Sequence, residues 1–557
     1  MSSVTRRVSV YQNNASIVRK FYHNGAVALN FCNPWQKKTS RGKSVEFRCA
    51  APVKLGTKTP VELTTEFFAE ADGTSLIGVG CSRKFEAFCN GKLCCSTLDE
   101  GALYDAFAAE NHPFLIPVKK GSNTLKIFIQ PGAKEELFYC KVLEKSALKL
   151  PVVIYPPVIS HPDPGALSLL VRSMGAVGTG VEYRVKNSSN WLLQWDEKGG
   201  LIRRQSLHKF FLHDLVPGAE YEYRILMIDP ADPNLRRRST TYSFTVPPEE
   251  KCGTFSFFFT ADPQFEPAVQ RSLLRGVLES CDARSCDFLV LGGDINSRYS
   301  NARMEKDLIP TLQRYAGPGK AVIMLHGNHE LRGPEADAFI DHWSDESGNT
   351  FYAFRFGDTA FLVLDAWENR PAAHPRSRYY SRHNLDNVLL EREADFVRRT
   401  VNSAAWQDAK RRIVFAHGAP YSQYDSAATM HFWLQEMTDR FFCGKDPFSK
   451  VNVWFAGHTH IYTRSIPGSE ELTAFTMPAY PDKTGTDYIF PVLTCCGPNR
   501  RGLPQLSGFR VDAKPDGSLH IKSCLPDGSC FEEIKINKDN SITEILSLPH
   551  FVPEKKQ

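Results

Sequence analysis

Nowhere in the 557 residues does an apolar run approach the ~18 residues that a membrane-spanning helix requires. Runs such as Phe255 to Phe259 and Val152 to Tyr155 are of strand length. A charge surplus is missing too. With 67 basic and 62 acidic residues the net charge is only +5, which gives no support to a nucleic-acid or membrane-surface partner. The opening stretch MSSVTRRVSVYQNNASIVRK lacks the apolar core of a secretory signal. A cytoplasmic location is therefore expected, with a secreted or periplasmic form whose leader has been removed as the alternative. The 15 cysteines contain no CxxC pair, which excludes a zinc ribbon or a thioredoxin-type motif. Cys94–Cys95 and Cys495–Cys496 are adjacent pairs and make poor metal claws, so mostly reduced, half-buried thiols are expected. No repeat of fixed period and no low-complexity tract is visible.

What is present describes a packed, loop-rich protein. The chain is 42% hydrophobic and 23% charged, with 37 glycines and 35 prolines, a balance that fits β or α/β architecture better than a helical bundle. Its length is that of roughly three or four domains.

Residues 1–150 alternate apolar and polar over short runs. Asn90-Gly91 between FEAFC and KLCCS is a hairpin signal, and GSNTLKIFIQPG (Gly121 to Gly132) reads as turn, strand, turn. This region resembles the β jelly-roll modules of the galactose-binding-like group. The resemblance implies either packing against a neighbour or a carbohydrate partner. Pro151, Pro156 and Pro157 punctuate the next boundary. Residues 151–250 then carry short strands (ALSLLVRS, GVEYRVKN, LHKFFLHDLVPGAEYEYRILMI, STTYSFTVPP) spaced as in a β-sandwich. Their order resembles the fibronectin-III-like domain that precedes the catalytic domain of purple acid phosphatases.

From Thr254 the grammar changes. The apolar runs TFSFFFTAD, CDFLVLGGD, KAVIMLHGN, RRIVFAHG and VNVWFAGHTH alternate with segments of helical period, AVQRSLLRGVLES and READFVRRTVNSAAW. Buried strands alternating with helices predict a layered α/β domain over 251–557. After about Pro498 the chain returns to strands joined by Pro-Asp-Gly turns at Pro515 and Pro526.

Each of the five runs ends in metal-ligand chemistry: Asp262, Asp294, Asn328 with His329, His417, and His458 with His460. Ligands of open α/β sheets collect at the carboxyl ends of strands, so one edge would gather the whole set. Two divalent ions about 3.5–4 Å apart clamp the attacking and leaving oxygens of a phosphoryl displacement. A bridging carboxylate offsets their repulsion, and a water between them supplies hydroxide near neutral pH.

The order D-x-Q, GGD, GNHE, H, GHTH resembles the calcineurin-like metallophosphoesterase superfamily, and GHTHIYTRSIP is most similar to its purple-acid-phosphatase branch. The resemblance implies a four-layer α/β catalytic domain, a β-sandwich flanked by helices. It implies a phosphoester hydrolase in which a metal-bridging hydroxide attacks phosphorus. Phosphomonoesters are the favoured substrates, small phosphodiesters including cyclic nucleotides the alternative, and a non-catalytic carbohydrate-binding protein the remaining one. It further implies two divalent metal ions (Mn, Zn or Fe), with Asp262 and His460 on the first, Asn328, His417 and His458 on the second, and Asp294 bridging. His329 would be the acid, Glu330 its support, and His431 a substrate-facing histidine. Tyr421 and Tyr424 would line the cleft.

Two departures stand out. The superfamily's D-x-H is D-x-Q here, so Gln264 offers the first metal a neutral oxygen and favours harder ions. Where purple enzymes carry a tyrosinate, three residues after the bridging Asp, this chain has Ser297, so no purple colour is expected unless Tyr299 reaches the metals. Arg298 falls where the GDxxDR form of the motif keeps its arginine. Specificity is expected from loops 297–318, 367–388 and 421–450, and the Arg- and aromatic-rich stretch Asn369 to Asn384 is a candidate grip for an anionic substrate.

Overall fold

The computed structural model describes residues 29–30, 34–38, 44–47, 53–54, 59–81, 83–98, 112–132, 137–142, 153–228, 236–249, 254–265, 268–366, 386–420, 432–442, 450–465, 467–468, 472–475, 489–498 and 505–547. His431, Tyr421, Tyr424 and the 369–384 stretch lie outside them.

The N-terminal part is two antiparallel sheets around a core of its own that includes Trp35, Leu63, Phe67, Val79, Phe85, Ile127 and Phe138. Val61–Ala69 shows why: its even-spaced residues are buried and the others face outward, the period of a half-buried strand. Asn90 and Gly91 both take positive φ and turn Phe85–Cys89 into Lys92–Ser96, as a two-residue hairpin requires.

The middle segment is organised by one strand of 20 residues, Ala166–Val185. A bulge between Arg172 and Val177 bends it. Its first half pairs with Val158–Asp163 and Arg204–Leu212, and its second half with Leu192–Trp195 and Glu220–Ile228. A strand bent at a bulge turns a sandwich corner. Hydrogen bonding then runs into the α/β part, because Val158–Asp163 pairs parallel with Ala321–Met324 at Ile159 and Ala321.

Two sheets and their helices form the α/β part. In the first, Ala321–Met324, Phe288–Leu291 and Phe255–Thr260 run parallel, followed by the antiparallel strands Gly508–Ala513, Leu519–Cys524, Cys530–Ile536 and Ile542–Ser547. The second is built on Thr359–Leu364, Arg411–Ala416, Val453–Ala456 and Val492–Thr494, all parallel, with antiparallel neighbours at both ends. The central strands are buried on both faces, which is why they read as continuous apolar runs.

Alternate residues of these strands go to different layers. Phe257 and Phe259 meet Phe361, Phe415 and Phe455 between the sheets, with ring centroids 5.4–6.0 Å apart. Phe258, Leu289 and Val322 face the helices Ala268–Ser280 and Ile309–Ala316. Leu362, Val414 and Trp454 face Asp386–Val401 and Phe432–Phe441. The result is four layers, helix, sheet, sheet, helix. The helix expected over READFVRRTVNSAAW starts earlier, at Asp386, and stops at Val401. Ser403 then caps a second short helix, Ala404–Gln407, by accepting the Trp406 N–H.

Eleven cysteines lie among the described residues, and nine of them are buried. Among the described residues no helix is long and apolar enough to cross a membrane.

Candidate metal centre

The five expected strand ends meet at one edge of the two sheets. Asp262 follows Phe255–Thr260, Asp294 follows Phe288–Leu291, Asn328 follows Ala321–Met324, His417 follows Arg411–Ala416, and His458 and His460 follow Val453–Ala456. Asp294, His417 and His458 bring ligand atoms within 4.8 Å of one another, and so do Asp262, Asp294 and His460. The two triads share Asp294. Asn328 Oδ1 lies 3.0 Å from His458 Nδ1, roughly the spacing of two donors around one ion at ~2.1 Å each.

The backbone is bent to make this possible. Asp262, Gln264, Asp294, His458 and His460 all have φ between 38° and 70°, a region that costs a non-glycine residue on the order of 1–3 kcal/mol. Glu330 fixes the loops. It is fully buried and accepts three backbone N–H groups, from Asp294 at 2.8 Å, Ile295 at 2.9 Å and Gly327 at 2.9 Å. The glycines of the motifs are close-approach positions. A Cβ on Gly457 would lie 2.3 Å from Asp262 Oδ2, and one on Gly327 2.5 Å from Asp294 Oδ1.

The donor set fits cations. His417 Nδ1 donates to the Gly292 carbonyl at 2.8 Å and His460 Nδ1 to the Pro498 carbonyl at 2.8 Å. That fixes both tautomers and turns each Nε2 inward, as in metal-ligating histidines. The His460 Nε2 lone pair then faces Asp262 Oδ1 at 3.4 Å, and His417 Nε2 faces Asp294 Oδ2 at 3.3 Å. Asp262 Oδ1 is buried and, among the described residues, accepts no hydrogen bond. Lone pairs facing lone pairs need a cation between them. Burial opposes a charge on His417, but Asp294 and Asp262 lift its pKa to about 10. Burial also opposes the charge on Asp294, yet His417 and His329 hold it well below the usual carboxylate range.

His329 stands beside this pair. Its backbone N–H donates to Asp294 Oδ1 at 2.7 Å, and its Nε2 lies 3.6 Å from Asp294 Oδ2. Nδ1 donates to the Ser297 carbonyl at 3.0 Å, and Nε2 accepts from Arg332 Nη1. Burial pushes its pKa down to about 4 against the pull of Asp294, so the ring is neutral here. Glu330 takes a different place from the one expected: its carboxylate holds the loop backbones and not the His329 ring. Burial and Asp294 push Glu330 up to about 7. Gln264 joins the site through its backbone, whose N–H donates to the Asp294 carbonyl at 3.3 Å. Tyr299 packs away from the two ligand triads. It is buried, its ring lies edge-on to Phe339, and its hydroxyl meets His342 Nδ1 at 3.3 Å. Arg298 is exposed.

One part of the site escaped the sequence reading. His326 pairs with Asp365 at 3.0 Å, Glu393 accepts the Asp365 N–H at 2.7 Å, and the Trp433 indole donates to Glu393 at 2.8 Å. All three ionisable groups are buried. The signal was present: Asp365 ends a sixth apolar run, Thr359–Leu364, at the same sheet edge.

Residues 255–462 match the family model described as calcineurin-like phosphoesterase. The match begins on the first parallel strand and ends just past His460. No curated protein matches the chain. Among solved structures, a purple acid phosphatase from yellow lupin (Lupinus luteus) seeds is 14% identical, with 88% of this chain and 96% of that one covered and a TM-score of 0.49. A structure of PhoD is 11% identical over 72% of this chain and 93% of that one, with a TM-score of 0.47. Residues 255–462, which hold both ligand triads, are therefore similar to the calcineurin-like phosphoesterase domain.

Proposed function

We propose that the protein hydrolyses small phosphomonoesters at a binuclear metal centre. The observation that carries the reading is the pair of ligand triads sharing Asp294, with the His329 ring beside the shared carboxylate. Asp262 and His460 would hold one ion, with Gln264 as a further candidate ligand. Asn328, His417 and His458 would hold the other. When bound, the ions supply Lewis acidity and an activated water.

The protein's own residues do the rest. Glu330 and the Gly292 and Pro498 carbonyls keep the ligands aimed without substrate, which is preorganisation. His329 presents Nε2 toward the shared carboxylate, where a bound phosphate anion favours its protonation. A protonated ring can then pass that proton to the leaving oxygen. The near-neutral chain charge favours a small substrate over a polynucleotide.

The test strips metal with a chelator and restores Mn²⁺, Zn²⁺ or Fe²⁺ separately. Hydrolysis of p-nitrophenyl phosphate should exceed that of bis-p-nitrophenyl phosphate. Greater diester hydrolysis would replace the monoesterase reading with a phosphodiesterase. Inactivity on both with every ion supplied would overturn the catalytic reading.

A further inference from the structure

We propose that the cleft between the sandwich turn at Asp163 and the edge strand Tyr352–Phe356 binds a free dibasic α-amino acid, its carboxylate on Arg355 and its two cations on Asp163 and Glu249. The cleft stands apart from the metal centre. Ala360 in its wall and Asp365 at the metal edge lie near opposite ends of Thr359–Leu364, about 17 Å apart at the rise of a strand.

Chain topology makes the cleft. Tyr352–Phe356 pairs with Thr359–Leu364 on one side and ends its sheet. Its other side meets the turn that follows Val158–Asp163, where Asp163 Oδ1 accepts the Arg355 N–H at 2.9 Å. Glu249 enters from the segment that leaves the sandwich, and Thr400, Ala405 and Trp406 close the far wall. The cleft measures about 320 Å³, and small-molecule sites run from ~300 to 1,000 Å³.

Its charges do not satisfy one another. Among the described residues neither Asp163 nor Glu249 pairs with a cation, and Asp163 accepts the one backbone N–H. Burial lifts the Asp163 carboxyl to about 6, and the neighbouring charge of Glu249 adds to the lift. The Arg355 guanidinium gives one hydrogen bond, from Nη2 to the Gly357 carbonyl at 3.2 Å, and its Nε is buried with no acceptor. A polar group short of partners at a cleft is a recognition point, because a ligand that satisfies it gains the whole bond.

The lining carries two negative charges and one positive. Its complement is a molecule with two cations and one anion. A simple anion meets two carboxylates, and a simple amine leaves Arg355 unserved. A dibasic amino acid has the full set: a carboxylate that matches the guanidinium fork, two cations, and a methylene stem suited to the apolar wall of Pro164, Ala353, Ala360 and Ala405.

The experiment is calorimetric titration of the full-length protein with L-lysine, L-arginine, norleucine and cadaverine. Norleucine lacks the side-chain cation and cadaverine lacks the carboxylate. L-lysine or L-arginine should bind with a Kd of about 1 mM or tighter. Norleucine and cadaverine should bind about tenfold to a hundredfold more weakly, the loss of one charge-assisted hydrogen bond. Arg355→Gln should weaken L-lysine to the level of cadaverine and leave cadaverine unchanged. Asp163→Asn keeps an oxygen for the Arg355 N–H, and Glu249 is exposed, so neither Asp163→Asn nor Glu249→Gln should unfold the protein. Each should weaken L-lysine about tenfold or more. Should Arg355→Gln fail to fold, Glu249→Gln and the cadaverine comparison decide. No heat from either dibasic amino acid at about 10 mM, cadaverine or norleucine binding as tightly as L-lysine, or unchanged L-lysine affinity in any folded variant would overturn the proposal.

Discussion

Replacing Glu330 by glutamine is the sharpest perturbation of the loops that aim the ligands. The carboxylate accepts two N–H groups on Oε2, from Asp294 and Gly327, and one on Oε1, from Ile295. A glutamine can keep its oxygen where two donors converge, but its NH₂ must then face the Ile295 N–H. One charge-assisted bond is lost, about 1.5–3 kcal/mol, and a buried N–H is left unsatisfied, about 1–3 kcal/mol. Together that is roughly 2.5–6 kcal/mol, a large part of the ~5–15 kcal/mol that holds a domain folded. The loss is local, so the assay should be local too. Hydrogen exchange followed by mass spectrometry on peptides spanning 291–296 and 325–328 should show protection falling by about a hundredfold or more in the chelated Glu330→Gln protein. Calorimetric titration should show weaker metal binding. Unchanged exchange in both peptides would refute the reasoning, because these three bonds would then not set the loop conformation.

Other perturbations test separate layers. Phe257 lies between the sheets against Phe288, Phe361, Phe415 and Phe455, so Phe257→Ala should cost about 3–5 kcal/mol in denaturant unfolding; a loss under ~1 kcal/mol would contradict the packing. Lys209 donates to the Ser344 hydroxyl, and burial lowers its pKa from 10.5 to about 7. Above about 7 the unfolded chain binds the extra proton, so this group makes stability rise with pH up to about 10.5. That rise should vanish in Lys209→Met, and identical pH profiles of thermal unfolding would count against it. Gln264→His should raise Zn²⁺ affinity relative to Mn²⁺, since imidazole is the softer donor; an unchanged ratio in competitive titration would argue that position 264 does not ligate.

The central strands were legible because burial on both faces leaves little choice of residue, as in Phe255–Thr260. The ligands were legible because each sits where such a run stops. Asn90-Gly91 announced its hairpin for the same local reason: two successive positive φ values need those residues. Turns at Pro515 and Pro526 also appear, where Asp516 and Asp527 each accept the N–H of the serine two residues on. A third such turn, Asp539 to Ser541, puts Asn540 where the others have glycine and so gave no Pro-Asp-Gly signal.

What was not legible is long-range. Ala166–Val185 read as two strands because its bend falls at a glycine-bearing stretch. The junction of Ile159 with Ala321 pairs residues far apart in the chain, and no local pattern encodes it. Arg332 carries no motif of its own, and its place beside His329 follows from the turn that Gly333 closes. The His326–Asp365–Glu393 chain likewise joins three elements.

The most direct measurement is anomalous X-ray scattering from crystals grown with Mn²⁺ or Zn²⁺. Two peaks about 3.5–4 Å apart, both in contact with Asp294, one beside Asp262 and His460 and the other beside His417 and His458, are the expected result. A single peak, peaks away from Asp294, or none at saturating metal would contradict the shared-carboxylate centre.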